Sequence, residues 1–359
     1  MKKNFRTISF LMGVTGLFIL SLFIKPLDKK PPKQKFNPYP EISVSSRKIY
    51  VPNEWETLKE TVLGSANLLT HVVCEQTQDG SESCSLKLLK ETNKLLYEQL
   101  SAELKNLENV MIENGVRVSV HDPELLPDEE LFYRHDSNRG VNFLCARTPL
   151  LVAGGTAIET APFFPEALSA KFSIRRIINS LLADDNNAVF ISMPEPSPAF
   201  PFNGVYLDAA DVLVDGENVY VGSSGLLPNP GAHWLKQALE KTHHVYEIRL
   251  KEGLRLGNVM ALPNKDILLL EKDAFLLKPL PAPLRKRKQI EILPENNTYG
   301  LADMVVLSPE KIVINEKNTF LKELLEKEGF EIITLPFDAL EQTGVNLRCL
   351  YHPLKRTDK

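Results

Sequence analysis

A hairpin pattern that recurs along the chain is the feature that most constrains its fold. In the clearest copy, residues 207–222, apolar and β-branched residues lead into a turn at 215–218 and lead out of it again. The same pattern is predicted at residues 150–160, 259–270 and 304–315. Recurrence at this spacing indicates a fold built from repeated supersecondary units rather than from one large sheet.

A helical stretch and a further strand follow most of these hairpins. Residues 321–335, for example, run LKELLEKEG into FEIITL, and the glycine ends the helix. Counting a weaker hairpin near residues 58–69, the chain contains about five hairpin–helix–strand units. The fourth unit is degenerate, because Pro279, Pro281 and Pro283 interrupt its helix.

The N-terminal residues predict a membrane anchor. Residues 1–7 are basic, and residues 8–24 contain no charge, which gives a helix of roughly 26 Å, just long enough to cross a bilayer core. No small-x-small cleavage site follows, so an uncleaved signal anchor is favoured over a removed signal peptide. Residues 25–47 predict an extended linker rich in proline and lysine. The sequence thus predicts a single-pass membrane localisation, leaves the side of the membrane open, and assigns residues 48–359 to a globular domain.

Composition and motifs exclude several classes of function. The formal net charge is −4, and basic and aromatic residues are not clustered, so no nucleic-acid partner is predicted. Metal-ligand spacings, a phosphate loop, a Gly-x-Ser-x-Gly elbow and a dinucleotide fingerprint are all absent from the sequence. No metal and no cofactor are therefore expected.

The four cysteines differ in their surroundings. Cys74 and Cys84 flank a polar loop, where they either form a disulfide or remain two free thiols. Cys145 lies in an apolar run and is interpreted as a packed thiol. Cys349 follows Arg348, whose positive charge favours the thiolate, so it is a candidate nucleophile.

Two carboxylates stand at the entry of the clearest hairpin. Asp208 and Asp211 flank two alanines, and such small residues allow a ligand to approach the backbone. An acid at this position is either a turn residue or a ligand for a cation.

Several motifs together resemble the amidinotransferases, the family of glycine amidinotransferase. They are Asn53-Glu54-Trp55, Ala146-Arg147-Thr148, Ile158-Glu159-Thr160-Ala161-Pro162, Asp208-Ala209-Ala210-Asp211, Asn229-Pro230-Gly231 with Trp234, and the segment from Gly344 to Cys349. They occur in the family's order and with its spacing from about Val51 to the end of the chain.

The resemblance implies an α/β fold, the pentein fold, which is a five-bladed ββαβ propeller with a central active site. It implies that Cys349 is the nucleophile and that Asp208 is a catalytic carboxylate that holds the guanidinium of the substrate. Arg147, Thr148, Asp211 and Arg255 fall at or near its substrate-binding positions. The implied reaction moves an amidino group from arginine to an amine through a covalent cysteine intermediate. The implied partner is a small guanidino or amine substrate. The sequence leaves open whether a second copy of the chain completes a homodimer.

Two departures from the family pattern leave alternatives open. Thr148 replaces the family's first substrate-binding aspartate, and residues 254–258 lack its His-x-Asp, with Arg255 in that stretch. Arg255 either lies at the surface or pairs with Asp208 in the place of a substrate guanidinium. The chain is then an active transferase or deiminase-like hydrolase, a membrane-tethered pseudoenzyme that binds a guanidino or amino-acid ligand or a protein, or a structural pentein.

Overall fold

Five three-stranded sheets and one two-stranded sheet make up the β-structure of the described residues. The computed structural model describes residues 47–76, 81–121, 142–163, 165–194, 204–225, 229–277, 279–301 and 303–357. The spatial orders of the three-stranded sheets are β17-β1-β4, β5-β6-β7, β8-β9-β10, β11-β12-β13 and β14-β15-β16. This is the α/β architecture of about five repeated units that the sequence predicts.

The strands have the following bounds: β1 Leu58–Leu63, β2 Thr70–Gln76, β3 Glu82–Leu88, β4 Arg117–Val120, β5 Leu150–Ala153, β6 Thr156–Glu159, β7 Val189–Ser192, β8 Val212–Asp215, β9 Asn218–Ser224, β10 His244–Leu250, β11 Met260–Ala261, β12 Ile267–Glu271, β13 Lys288–Ile292, β14 Met304–Ser308, β15 Lys311–Asn315, β16 Glu331–Leu335 and β17 Tyr351–Arg356. The helices are α1 Leu89–Thr92, α2 Lys94–Glu113, α3 Pro165–Ala183, α4 Pro230–Ala238, α5 Leu256–Val259, α6 Ala282–Arg285, α7 Thr319–Lys327, α8 Asp338–Glu341 and α9 Leu347–Leu350.

Each of the five sheets joins an antiparallel pair to a parallel third strand. In the third unit, for example, β8 pairs with β9 in antiparallel register, and β10 returns after α4 to lie parallel to β9. All four residues of β5, β6 and β8 are buried, which explains why these strands are continuous apolar runs rather than alternating patterns.

The first sheet is closed by the C-terminus. The antiparallel partner of β1 is β17, with Val62 opposite His352 and Leu63 opposite Tyr351, whereas β4 lies parallel on its other edge. The hairpin predicted near residues 58–69 is therefore wrong, since only its first half is a strand and its partner comes from the far end of the chain. The following hairpin, β2–β3, is a separate sheet, and its opposed Cys74 and Cys84 form a disulfide.

Helix ends follow their local signals. The side chain of Asn229 accepts hydrogen bonds from the backbone N–H groups of Gly231 (2.9 Å) and Ala232 (3.3 Å) and so caps α4. A Cβ at Gly231 would lie 2.0 Å from the carbonyl oxygen of Tyr206, so this position requires glycine. In the fourth unit α6 has only four residues, as the neighbouring prolines predict.

The hydrophobic core lies between the sheets and their covering helices. The largest cluster joins the third, fourth and fifth units through residues such as Tyr220, Leu268 and Ile312. A second cluster joins the first and fifth units and contains Leu58 and Leu350. Leu256 and Leu350 are buried in these clusters and lie next to residues that line the cavity described below. The core therefore holds the backbone on which those lining residues stand.

One finding contradicts the predicted membrane localisation. No helix in the described part of the chain is long and apolar enough to span a bilayer. The predicted basic N-terminus, anchor (residues 8–24) and nearly all of the linker (residues 25–47) lie outside the described residues.

Candidate active site

A cavity of about 250 Å³ brings together side chains from distant parts of the chain. Its lining consists of Asn142, Cys145, Thr148, Ala167, Asp208, Ala210, Asp211, Arg255, Gly257, Asn258, Gly344, Val345, Asn346, Arg348 and Cys349. Five of the six residues proposed from the sequence are in this set, and only Arg147 is not. Asp208 and Cys349 thus line one cavity, as the resemblance implies, and their catalytic roles stay predictions.

The two carboxylates are oriented by a short 3-10 helix, Ala209–Asp211. Asp208 caps it, and its Oδ1 accepts a hydrogen bond from the backbone N–H of Ala210 at 2.8 Å. Asp211 Oδ1 accepts from the backbone N–H of Leu256 at 3.0 Å. One oxygen of each carboxylate is therefore held by the backbone, and the second oxygen is left for a cation.

That cation is the guanidinium of Arg255. Its Nη2 donates to Asp208 Oδ2, and its Nε donates to Asp211 Oδ2 at 3.0 Å. Burial alone would lower the pKa of Arg255, but the two carboxylates outweigh it and raise the pKa above its ordinary value. Burial and the neighbouring Asp208 raise the pKa of Asp211 to about 6 against the opposing effect of Arg255.

The cysteine is positioned by the start of α9. The side-chain oxygen of Asn346 accepts from the backbone N–H of Cys349 at 3.2 Å, and Asp303 Oδ1 accepts from the N–H of Leu347 at 2.6 Å. The carbonyl oxygen of Cys349 accepts from the N–H of Arg147 at 3.2 Å. These bonds tie the backbone of Cys349 to the segment that precedes β5.

A second thiol contacts Cys349. Cys145 lines the same cavity, and its thiol interacts with the thiol of Cys349. This interaction lowers the pKa of Cys349, as do Arg255 and Arg348, whereas burial and Asp208 raise it; the net effect is a lowered pKa. The same interaction raises the pKa of Cys145 well above its ordinary value. Of the two thiols, Cys349 is therefore the one that ionises more readily.

Sequence reasoning missed the place of Cys145 in the site. An apolar context indicated a packed thiol, but the structure puts Cys145 at the cavity wall, half-buried. The one signal for it in the sequence is that it stands directly before Ala146-Arg147-Thr148, which the resemblance had already assigned to substrate binding.

A buried network of ion pairs and hydrogen bonds holds together the segments that form the cavity. The predicted place of Arg147 among the substrate-binding residues is corrected here. Its side chain is 3% exposed, and its Nη2 donates to both carboxylate oxygens of Glu54 at 2.7 Å. The side chain therefore does not reach the cavity. Arg348 donates to the carbonyl oxygens of Ala210 (2.5 Å) and Val212 (2.7 Å) and lies 3.4 Å from Glu54. These contacts hold the segment with Asp208 and Asp211 against α9.

No histidine of the described ranges lines the cavity. His352 is buried on β17, where burial and the neighbouring arginines lower its pKa well below the ordinary value. His135 lies outside the described residues. At Gly257 a Cβ would lie 2.9 Å from the carbonyl oxygen of Ala210 and 3.2 Å from Arg348 Nη1. The close packing there leaves no room for a side chain at position 257.

Comparison with known proteins gives relatives over most of the chain, although no family model matches it. The chain is 27% identical over 350 residues to a putative inosamine-phosphate amidinotransferase of Streptomyces griseus, covering 86% of this chain and 96% of that protein. The solved inosamine-phosphate amidinotransferase of S. griseus superposes with a TM-score of 0.68 at 20% identity, over 86% of this chain and 97% of that one. A dimethylarginine dimethylaminohydrolase superposes with a TM-score of 0.54 at 18% identity, over 82% and 99%. The resemblance to the amidinotransferases and the pentein fold are confirmed by these relatives.

Proposed function

We propose that this chain, a relative of the amidinotransferases with the pentein fold, transfers an amidino group from arginine to an amine through a covalent intermediate on Cys349. Its curated relatives are named amidinotransferases, which supports amidino-group chemistry at the level of the family. The donor, the acceptor and the covalent step are proposals for this chain.

One observation supports the proposal most directly: the cavity already holds a guanidinium. Asp208 and Asp211 bind Arg255 through a two-point contact, in the same cavity as the low-pKa thiol of Cys349. A planar cation with several N–H donors is the group that paired carboxylates recognise best. The carboxylate pair is therefore suited to a substrate guanidinium beside a nucleophile.

The proposed chemistry follows from these groups. With the substrate guanidinium against Asp208, the thiolate of Cys349 attacks its central carbon and expels an amine, which leaves the amidino group on sulfur. An acceptor amine then removes the group and completes a transfer, whereas water in its place gives hydrolysis. For either reaction, Arg255 has to leave the carboxylates before the substrate binds, since both compete for Asp208.

Mass spectrometry of the intact protein tests the proposal. After incubation with L-arginine and rapid acid quench, we expect an amidino adduct on Cys349, located by peptide mapping, and its loss on addition of hydroxylamine as a general acceptor. Cys349→Ala is the control that cannot carry the adduct. No adduct in the wild type, beside a solved relative that forms one, would refute the transferase.

The contact of Arg255 with the carboxylates favours a second candidate, a protein that binds a guanidino ligand without turning it over. Among the residues that the structure describes, no histidine lines the cavity, which points in the same direction, because loss of a general acid–base group costs a factor of about 10² to 10⁴ in rate. In that case the wild type binds arginine in a calorimeter but forms neither adduct nor product.

A further inference from the structure

We propose that Cys145 is a positioning and proton-handling residue of this site: its thiol donates a hydrogen bond to the thiolate of Cys349 and supplies the proton that the departing amine needs. This inference rests on the proposed amidino transfer and names the group that takes over the proton transfer of the family histidine that residues 254–258 lack.

The geometry places Cys145 in the same cavity as the reacting sulfur. Both thiols are free and line that cavity. Asn142 holds Cys145 in place, since its Oδ1 accepts from the backbone N–H of Cys145 at 3.3 Å and its Nδ2 lies 3.8 Å from the sulfur. The backbone bond from Arg147 to the Cys349 carbonyl fixes the two segments to each other.

The charges around the pair make the proton on Cys145 responsive to the reaction. The groups that act on Cys349 are Cys145, Asp208, Arg255 and Arg348. While Cys349 is a thiolate, its negative charge keeps Cys145 protonated. When the thiolate becomes a neutral thioether, that charge is lost and Cys145 becomes a stronger acid. The change coincides with the step in which the amine leaves.

The steps balance in protons and electrons. The Cys349 thiolate forms a C–S bond to the guanidinium carbon, and the C=N electron pair moves to nitrogen, which gives a neutral tetrahedral adduct. The C–N bond then breaks with transfer of the Cys145 proton to the leaving nitrogen, which yields a free amine, a cationic amidino-thioether and a Cys145 thiolate. An incoming neutral amine forms the new C–N bond and gives its proton to Cys145. Cleavage of the C–S bond restores the Cys349 thiolate.

The first test measures the pH dependence of Cys349 alkylation, which requires no transfer activity. Iodoacetamide labelling of the Cys349 peptide is followed by mass spectrometry in the wild type, Cys145→Ala and Cys145→Ser. The midpoint is the pH at which the alkylation rate of Cys349 is half of its maximum. Removal of the donor in Cys145→Ala should raise this midpoint by about one to two pH units, whereas the serine hydroxyl should keep it near the wild-type value. Equal midpoints in all three proteins would overturn the proposal, whether or not the proposed transfer occurs.

The second test separates proton supply from nucleophilicity. 2-Chloroacetamidine alkylates the thiolate without release of an amine, whereas arginine must release one. Above its alkylation midpoint, Cys145→Ala should label with chloroacetamidine at the wild-type rate but lose at least tenfold in amine release from arginine. Equal losses in the two reactions would show that Cys145 acts only on the thiolate and would refute its part in proton transfer. If chloroacetamidine labels the wild type but arginine releases no amine, the proposed transfer is wrong. The alkylation midpoints of the first test then still show whether Cys145 donates a hydrogen bond to Cys349.

Discussion

Replacement of Arg255 by alanine should convert the occupied carboxylate pair into an open site for guanidinium ligands. The variant loses two charge-assisted hydrogen bonds, one to Asp208 and one to Asp211. Such bonds are worth about 1.5–3 kcal/mol each when shielded from water. The side chain of Arg255 is 36% exposed, and solvent screening reduces each bond toward about 1 kcal/mol. We therefore expect a loss of about 2 kcal/mol in the free energy of unfolding and a fall of about 4 °C in the melting temperature.

The assay is thermal unfolding with added ligand. L-Arginine should bind the freed carboxylates of Arg255→Ala and raise its melting temperature, and at 100 times the dissociation constant the gain is about 2.7 kcal/mol, enough to offset the loss. Citrulline has the same shape without the charge and should have little effect. The wild type should respond weakly to both, because its own guanidinium competes.

Two further variants serve as controls for this prediction. Arg249 also pairs with an acid, Glu247 at 3.2 Å, and is not among the residues that line the cavity, so Arg249→Ala should not gain a response to arginine. Adding Asp208→Asn to Arg255→Ala should abolish the response. An arginine effect of equal size in the wild type and in Arg255→Ala would refute the idea that Arg255 occupies the guanidinium site.

Three other predictions concern the structure that supports the site. Burial raises the pKa of Asp303 to about 7, above an unfolded value near 3.8, so stability should fall by up to about 4 kcal/mol as pH rises between these values, and Asp303→Asn should remove this slope in urea titrations at several pH values. Gly257→Ala should cost about 1–3 kcal/mol in urea unfolding, because its Cβ would lie 2.9 Å from the carbonyl oxygen of Ala210. Glu54→Gln should cost about 3–5 kcal/mol, since it leaves the buried charge of Arg147 without its counterion, and should lower the urea midpoint accordingly.

Each of these has an outcome that contradicts it. A pH slope that persists in Asp303→Asn would assign the titration to another group. Unchanged stability of Gly257→Ala would mean that α5 moves away from Ala210 at little cost. A Glu54→Gln variant as stable as the wild type would show that Arg147 finds another acceptor.

Local sequence patterns predicted the repeats because each hairpin depends on neighbouring residues, whereas five of the residues that line the cavity were named from the resemblance to the amidinotransferases. The hairpins of the second to fifth units have their strands and turn in one short segment, and the short α6 follows from adjacent prolines. The pairing of Arg255 with Asp208, one of the alternatives that the sequence left open, is present in the structure.

The features that escaped prediction depend on contacts between segments far apart in the chain. Nothing near β1 indicates that its partner is β17. Arg147 is buried because Glu54, 93 positions earlier, supplies its counterion, and Cys145 joins the site because Cys349 folds back against it. No periodicity or turn signal within a segment indicates a contact with a segment far away in the chain.

The pairing of β17 with β1 also bears on the synthesis of the protein. Cys349 lies two residues before β17, the strand that closes the first sheet, so it is synthesised after the other residues that line the cavity. At about 5–20 residues per second, a ribosome needs on the order of 15–60 seconds to extend the chain by the roughly 300 residues that separate the two strands. During that time one edge of β1 in the nascent chain has no partner, and unpaired edges are templates for mispairing with other chains. The lining of the cavity is thereby completed only when Cys349 has emerged from the ribosome.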